Sequence, residues 1–99
     1  MFVGTCRLEL FWPGLTSLKD KRRQVQSLCA RLARAFGVAV AEVGHLEHHQ
    51  RASLGVACVS NSPGHCRQVL DAVVLLAGRD AELEVADLEV HGDEGSGRG

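Results

Sequence analysis

An α+β fold, with four antiparallel strands in one sheet and two helices on one of its faces, is what this sequence predicts. Two observations carry it. Apolar residues recur at every second position in residues 2–11, 38–43, 52–60 and 83–90, the period of a strand with one covered face. Between the first and second of these stretches, and between the third and fourth, lie two segments of helical period, each opened by a capping residue. The order is therefore βαββαβ. With right-handed crossovers it gives the ferredoxin-like arrangement.

Each element has its own signals. In FVGTCRLELF, residues 2–11, Phe2, Gly4, Cys6, Leu8 and Leu10 share one face, while Val3, Thr5, Arg7, Glu9 and Phe11 share the other. Pro13-Gly14 ends the strand. Ser17 is a good N-cap, with Asp20 completing a variant of the capping box. At about 100° per residue, Leu18, Val25, Leu28, Cys29, Leu32 and Phe36 gather on one side of the helix, and Gly37 is its expected stop. Strands follow at Val38–Val43 and Ala52–Ser60, joined by the hairpin GHLEHHQR. Asn61-Ser62-Pro63 begins the second helix, whose inward stripe is Cys66, Val69, Leu70, Val73 and Ala77, with Gly78 expected to end it. The last strand, Leu83–Val90, changes phase near Val85-Ala86, where a bulge is expected. Residues 92–99, GDEGSGRG, offer no apolar anchor, so a single domain over 1–91 with a disordered tail is expected.

The chain of 99 residues is 45% apolar and 23% charged, the make-up of an ordinary globular domain. No apolar run approaches the roughly 20 residues of a membrane-spanning helix, and no basic segment followed by an apolar run opens the chain. A cytoplasmic location with no membrane partner is expected. There Cys6, Cys29, Cys58 and Cys66, which form no CxxC pair, are small buried hydrophobes rather than disulfides. The formal charge of −1 hides a separation. Residues 1–36 hold Arg7, Lys19, Lys21, Arg22, Arg23, Arg31 and Arg34 against two acids. Residues 80–94 hold Asp80, Glu82, Glu84, Asp87, Glu89, Asp93 and Glu94 with no Lys or Arg.

The segments PGLTSLKDKR at Pro13–Arg22, SLCARLARAF after it, VAVAEV at Val38–Val43, QRASLGVACVSN at Gln50–Asn61 and VLDAVV at Val69–Val74 together resemble the YlxP-like family of small bacterial proteins. The resemblance runs from about residue 2 to residue 90. It implies a ferredoxin-like fold. Members are commonly encoded beside a ribosome-binding factor and an initiation factor, which implies a role near the ribosome. The chain departs from the family in the hairpin, where an Asp-His start and a Trp before Gln-Arg are replaced by Gly44-His45 and His49.

Three constellations are candidates for function. The first is the outer face of the first helix, where Lys19, Arg22, Arg23 and Arg34 could follow a phosphate backbone over roughly 20 Å, with Arg51 and the histidine hairpin at the rim. The plainer alternative is a solvated helix face. The second is the open face of the sheet, where Phe11, Gly55, Ala57 and Val59 form a flat, semi-apolar surface suited to a homodimer or a protein partner; with Phe11 its one aromatic, base stacking in the manner of RNA-recognition sheets is disfavoured. The third is His45, His48 and His49 with Glu47, read as loop residues rather than metal ligands. No phosphate-cradling glycine loop or GxSxG motif is present. Glu42 is expected to sit at the covered face in an ion pair with Arg51, and Trp12 to cap the edge between helix and sheet. The expectation is a non-enzymatic domain without cofactor or metal that binds RNA or a ribosomal surface. The alternative is a protein-interaction module or homodimer working through the open sheet.

Overall fold

The computed structural model describes residues 1–92. Six elements follow in the expected order: β1 (Phe2–Phe11), α1 (Leu18–Phe36), β2 (Ala39–Gly44), β3 (Arg51–Ser60), α2 (Pro63–Asp80) and β4 (Glu82–Gly92). The sheet order is β2-β3-β1-β4, and every neighbouring pair is antiparallel.

β1 is central because it pairs along its whole length on both sides, from Phe2↔Ser60 to Phe11↔Arg51 with β3 and from Phe2↔Gly92 to Phe11↔Glu82 with β4. The period-two pattern sends Cys6, Leu8 and Leu10 of β1, and Ala52, Leu54, Val56 and Cys58 of β3, inward beneath the helices. Val25, Leu28 and Leu32 of α1, with Cys66, Leu70, Val73 and Ala77 of α2, close the core from above. α1 packs on β2 and α2; α2 packs on β1, β3 and β4. At Gly4 the sheet and α2 are in close approach: a Cβ there would lie 2.9 Å from Leu70 Cδ1 and 3.1 Å from Cys58 Sγ.

The helix ends follow from local chemistry. Ser17 Oγ accepts the Asp20 N–H at 3.1 Å, and Gly37, at φ 64°, donates its N–H to the Ala33 carbonyl. Ser62 caps α2 through the His65 N–H. α2 does not stop at Gly78. It runs to Asp80 and is capped at Ala81, whose N–H bonds the Ala77 carbonyl. Glycine ends a helix where the chain must turn left-handed, and only Gly37 and His45 adopt positive φ among the described residues.

The bulge in β4 falls opposite Glu9/Leu10, leaving Glu84 as the extra residue, next to the Val85-Ala86 phase change. A second irregularity, not foreseen from sequence, leaves Val43 extra in β2 opposite Leu54/Ser53. β4 extends through His91 and Gly92, so the strand takes in the first residue assigned above to the tail; residues 93–99 lie outside the described residues. As an edge strand β4 carries Glu82, Glu84, Asp87 and Glu89, charges that oppose strand addition. All four cysteines are free thiols. Burial, and then Asp87, pushes Cys6 up to about 11. No helix is long and apolar enough to cross a membrane among the described residues.

Candidate nucleic-acid interface

The inward stripe of α1 leaves its opposite side to solvent. Lys19, Arg23 and Arg34 are exposed and fall within roughly 60° of one another about the helix axis. Among the described residues none of the three has an ion-pair partner. Arg22 lies beside this row, with its Nη2 3.9 Å from Glu47 Oε2 in a pair whose two side chains are open to water. Such an exposed contact contributes little. Arg31 is different: its guanidinium grips the Asp80 carboxylate with both terminal nitrogens, tying α1 to the end of α2 and holding Arg31 in its charged form.

Lys21 also leaves the basic surface. Its side chain is fully buried. Nζ donates to Glu42 Oε2 at 2.6 Å, to the His45 carbonyl at 3.0 Å, to the Arg51 carbonyl at 3.2 Å and more distantly to the Leu46 carbonyl. An ammonium enclosed in this way holds both ends of the β2–β3 hairpin. The cost of burying the charge is met by an opposite charge and by carbonyl dipoles. His45, the one non-glycine residue at positive φ among the described residues, is the turn this clamp holds, and its carbonyl also accepts the His48 N–H. The partner of Glu42 is therefore Lys21, not Arg51. Arg51 reaches the other face, where it lies 4.5 Å over the Phe11 ring and pairs with Glu84. The missed pairing had a signal: Lys21 stands one helical turn before Val25 on the inward stripe, and Glu42 occupies an inward position of β2.

Gln50 completes the anchoring. Its Nε2 donates to the Pro13 and Leu15 carbonyls and its own carbonyl accepts the Trp12 N–H, so the hairpin base is stitched to the turn before α1. Trp12 is buried there as a lid, its indole N–H without a hydrogen-bond partner among the described residues. The loop beyond presents three exposed imidazoles. His48 and His49 stack at 5.7 Å between centroids and 16° between planes, and His45 meets His48 edge-on at 6.3 Å. Desolvation, with the charges of His49, Arg51, His45 and Lys21, lowers the pKa of His48.

On the open face, Ser53 donates to Glu9 Oε1, Arg7 Nε donates to Glu9 Oε2 at 2.8 Å, and His45 Nε2 stands 3.6 Å from Glu9 Oε1. Burial alone would raise the Glu9 carboxyl; the bonds from Ser53 and Arg7, with the charges of Arg7 and His45, outweigh it and hold Glu9 below the usual carboxylate range. Gly55 and Ala57 are half-buried, and Val59 is 66% exposed. A concavity of about 660 Å³ lies across this face, lined among others by Thr5, Ala41, Ala57, Asp87 and Glu89. Val43 arches over Gly55, where a Cβ would lie 3.2 Å from its methyl. No group of three or more His, Cys, Asp or Glu converges as a metal site among the described residues.

The structure thus brings Lys19, Arg22, Arg23 and Arg34 onto one helix surface with the histidine loop at its side. Phe11, Gly55, Ala57, Val59 and Arg51 lie on the opposite, sheet side of the domain. A ferredoxin-like α+β domain with a basic helix face and an open sheet is the class these features define. Residues 3–90 match the family described as Protein of unknown function (DUF503), and the chain belongs to that family. It is 32% identical over 82 residues to "Uncharacterized protein YlxP" of Bacillus subtilis (strain 168), covering 83% of this chain and 89% of that protein.

Among solved structures, the chain is similar to LarC2, the C-terminal domain of a cyclometallase, with TM-score 0.54 and 12% identity, over 92% of this chain and 55% of that one. It thus spans little more than half of that chain. It is also similar to At3g17210 of Arabidopsis thaliana (TM-score 0.53, 15% identity, 92% and 94% coverage) and to SnoaB, a cofactor-independent oxygenase from Streptomyces nogalater (TM-score 0.51, 9% identity, 94% and 93% coverage). At these identities the likeness shows the fold alone.

Proposed function

We propose that this protein is a non-enzymatic, cytoplasmic RNA-binding domain that docks on ribosomal RNA through the outer face of α1. One observation carries the reading: Lys19, Arg23 and Arg34 are aligned, exposed and without an ion-pair partner among the described residues. Asp80 is held by Arg31 and Glu84 pairs with Arg51 on the sheet side, so neither neutralises the row. Phosphates reward such a row by releasing counterions. The acids of β4 belong to the sheet side, so the charge separation seen along the sequence becomes a difference between sides of the domain. The carboxylates best placed for acid–base chemistry are already engaged, Glu42 by Lys21 and Glu9 by Ser53 and Arg7, which supports binding rather than reaction. The test is capture from a lysate at low and at high salt, with and without ribonuclease. Ribosomal RNA should be retained at low salt, released at high salt and lost in the Arg23→Glu, Arg34→Glu variant. Capture that ignores salt or survives the variant contradicts the reading.

A second reading, a homodimer through the open sheet, is favoured by the concavity on that face and by the exposure of Val59. It stands second because Asp87 and Glu89 outnumber Arg7 among the charged residues lining the same concavity, and Arg7 is already paired with Glu9, so a face-to-face pair would bring excess negative charge together. Light scattering on the wild type and on Ala57→Glu decides it: the reading needs a dimer that the variant breaks.

A further inference from the structure

The histidine loop lies beside the phosphate-binding row, and its chemistry is not that of a phosphate site. We infer that the β2–β3 hairpin is a base-stacking platform, so that the RNA taken by α1 is single-stranded at this point, with an unpaired base laid on the His48–His49 pair. This rests on the reading of α1 as an RNA-binding face.

The two imidazoles already stack, 16° from parallel, and both are exposed. Unstacked bases are commonly held on aromatic planes, histidine among them. The platform is built rather than floppy. Lys21 bonds the His45 and Leu46 carbonyls from beneath, and the His48 N–H closes a turn onto the His45 carbonyl. The Gln50 N–H is donated to His48 Nδ1 at 3.1 Å, which fixes that ring and leaves Nε2 to carry the proton of the neutral form. The charged groups around the loop are Lys21 and Arg22 from α1, Glu9 from β1, Glu42 from β2, Glu47 within the loop and Arg51 from β3. Desolvation first, and then the positive charges of His49, Arg51, His45 and Lys21, bias His48 toward its neutral form. Arg22 Nη2 and Glu47 Oε2 lie 3.9 Å apart, so the loop stands beside the first turns of α1 and one strand can meet both. A duplex hides its base faces and has no use for such a platform.

The test is fluorescence anisotropy with an oligouridylate of about 12 nucleotides, an abasic oligomer of the same length, and the duplex of the oligouridylate with oligoadenylate. His48→Ala, His49→Ala should weaken oligouridylate binding about tenfold, leave duplex binding and the salt slope unchanged, and be restored by His48→Phe, His49→Phe. His49→Ala alone, which removes no hydrogen bond among those of the described residues, should show part of the loss with an unchanged melting temperature. The inference is overturned if the double variant binds oligouridylate as the wild type does, if the abasic oligomer binds equally well, or if duplex binding falls in step. It is also overturned if the variant's salt slope drops, since the imidazoles would then be acting as cations. If Arg23→Glu, Arg34→Glu abolishes all binding while the histidine variants do nothing, the helix reading stands and this one falls. If no oligomer binds the wild type, both fall.

Discussion

The ammonium of Lys21 sits 2.6 Å from the carboxylate of Glu42, in a side chain to which water has no access, and the same ammonium bonds the carbonyls at both ends of the β2–β3 hairpin. A single buried charge thus fixes where the hairpin stands relative to α1. Removing it strands a carboxylate and orphans carbonyls together. Lys21→Met should cost about 3–5 kcal/mol in urea unfolding, and Lys21→Met with Glu42→Leu should recover part of that loss. A Lys21→Met protein as stable as the wild type would show that the clamp contributes nothing.

Glu9 gives the fold an acid limit. Its folded carboxyl titrates below the ordinary 4.5, because the bonds from Ser53 and Arg7 outweigh desolvation. A depressed folded value means stabilisation that is present above the unfolded value and lost as pH falls through the folded one. Thermal melts between about pH 3 and 7 should therefore show the wild type losing stability below roughly pH 4.5, and Glu9→Gln losing less over that window. Parallel curves would refute the assignment.

At Gly4, β1 has no room for a side chain beneath α2. A methyl there would press on Leu70 and on the sulfur of Cys58. Gly4→Ala should destabilise by about 1–3 kcal/mol through overpacking, and shortening the neighbour with Leu70→Val in the same chain should cost less than the two single changes added together.

The thiols should separate by access. Cys6, Cys58 and Cys66 are buried, while Cys29 is half-buried. Burial, before any charge, raises Cys6, Cys29 and Cys58 alike. Iodoacetamide at neutral pH should modify Cys29 first and slowly, the other three only on unfolding. Early modification of Cys6 would mean that β1 opens locally.

Most of the architecture was legible because it depends on period and caps. Ser17, Gly37 and Ser62-Pro63 act where the pattern placed them. Gly78 misled because a glycine tolerates a helix as well as ending one, and Arg31 holding Asp80 rewards two further residues of α2. The site was legible in part. The open row Lys19, Arg23 and Arg34 follows from helical spacing alone. Lys21 belonged to the inward stripe, although its charge argued for the surface. Gln50 and Arg51, quoted above in the family resemblance, turn out to be ties, one to the turn at Pro13 and Leu15 and the other to Phe11 and Glu84. Long-range pairings of this kind depend on register. The bulges at Val43 and Glu84 set that register, and no local pattern announces the first of them.

The most direct measurement is the slope of log affinity against log salt for a single-stranded RNA. Three or four phosphates held by α1 predict a slope of about −2 to −3, reduced in magnitude by about 0.7 for each of Arg23→Ala and Arg34→Ala. A flat slope, or one that neither substitution changes, would contradict the assignment of α1 as the RNA-binding face.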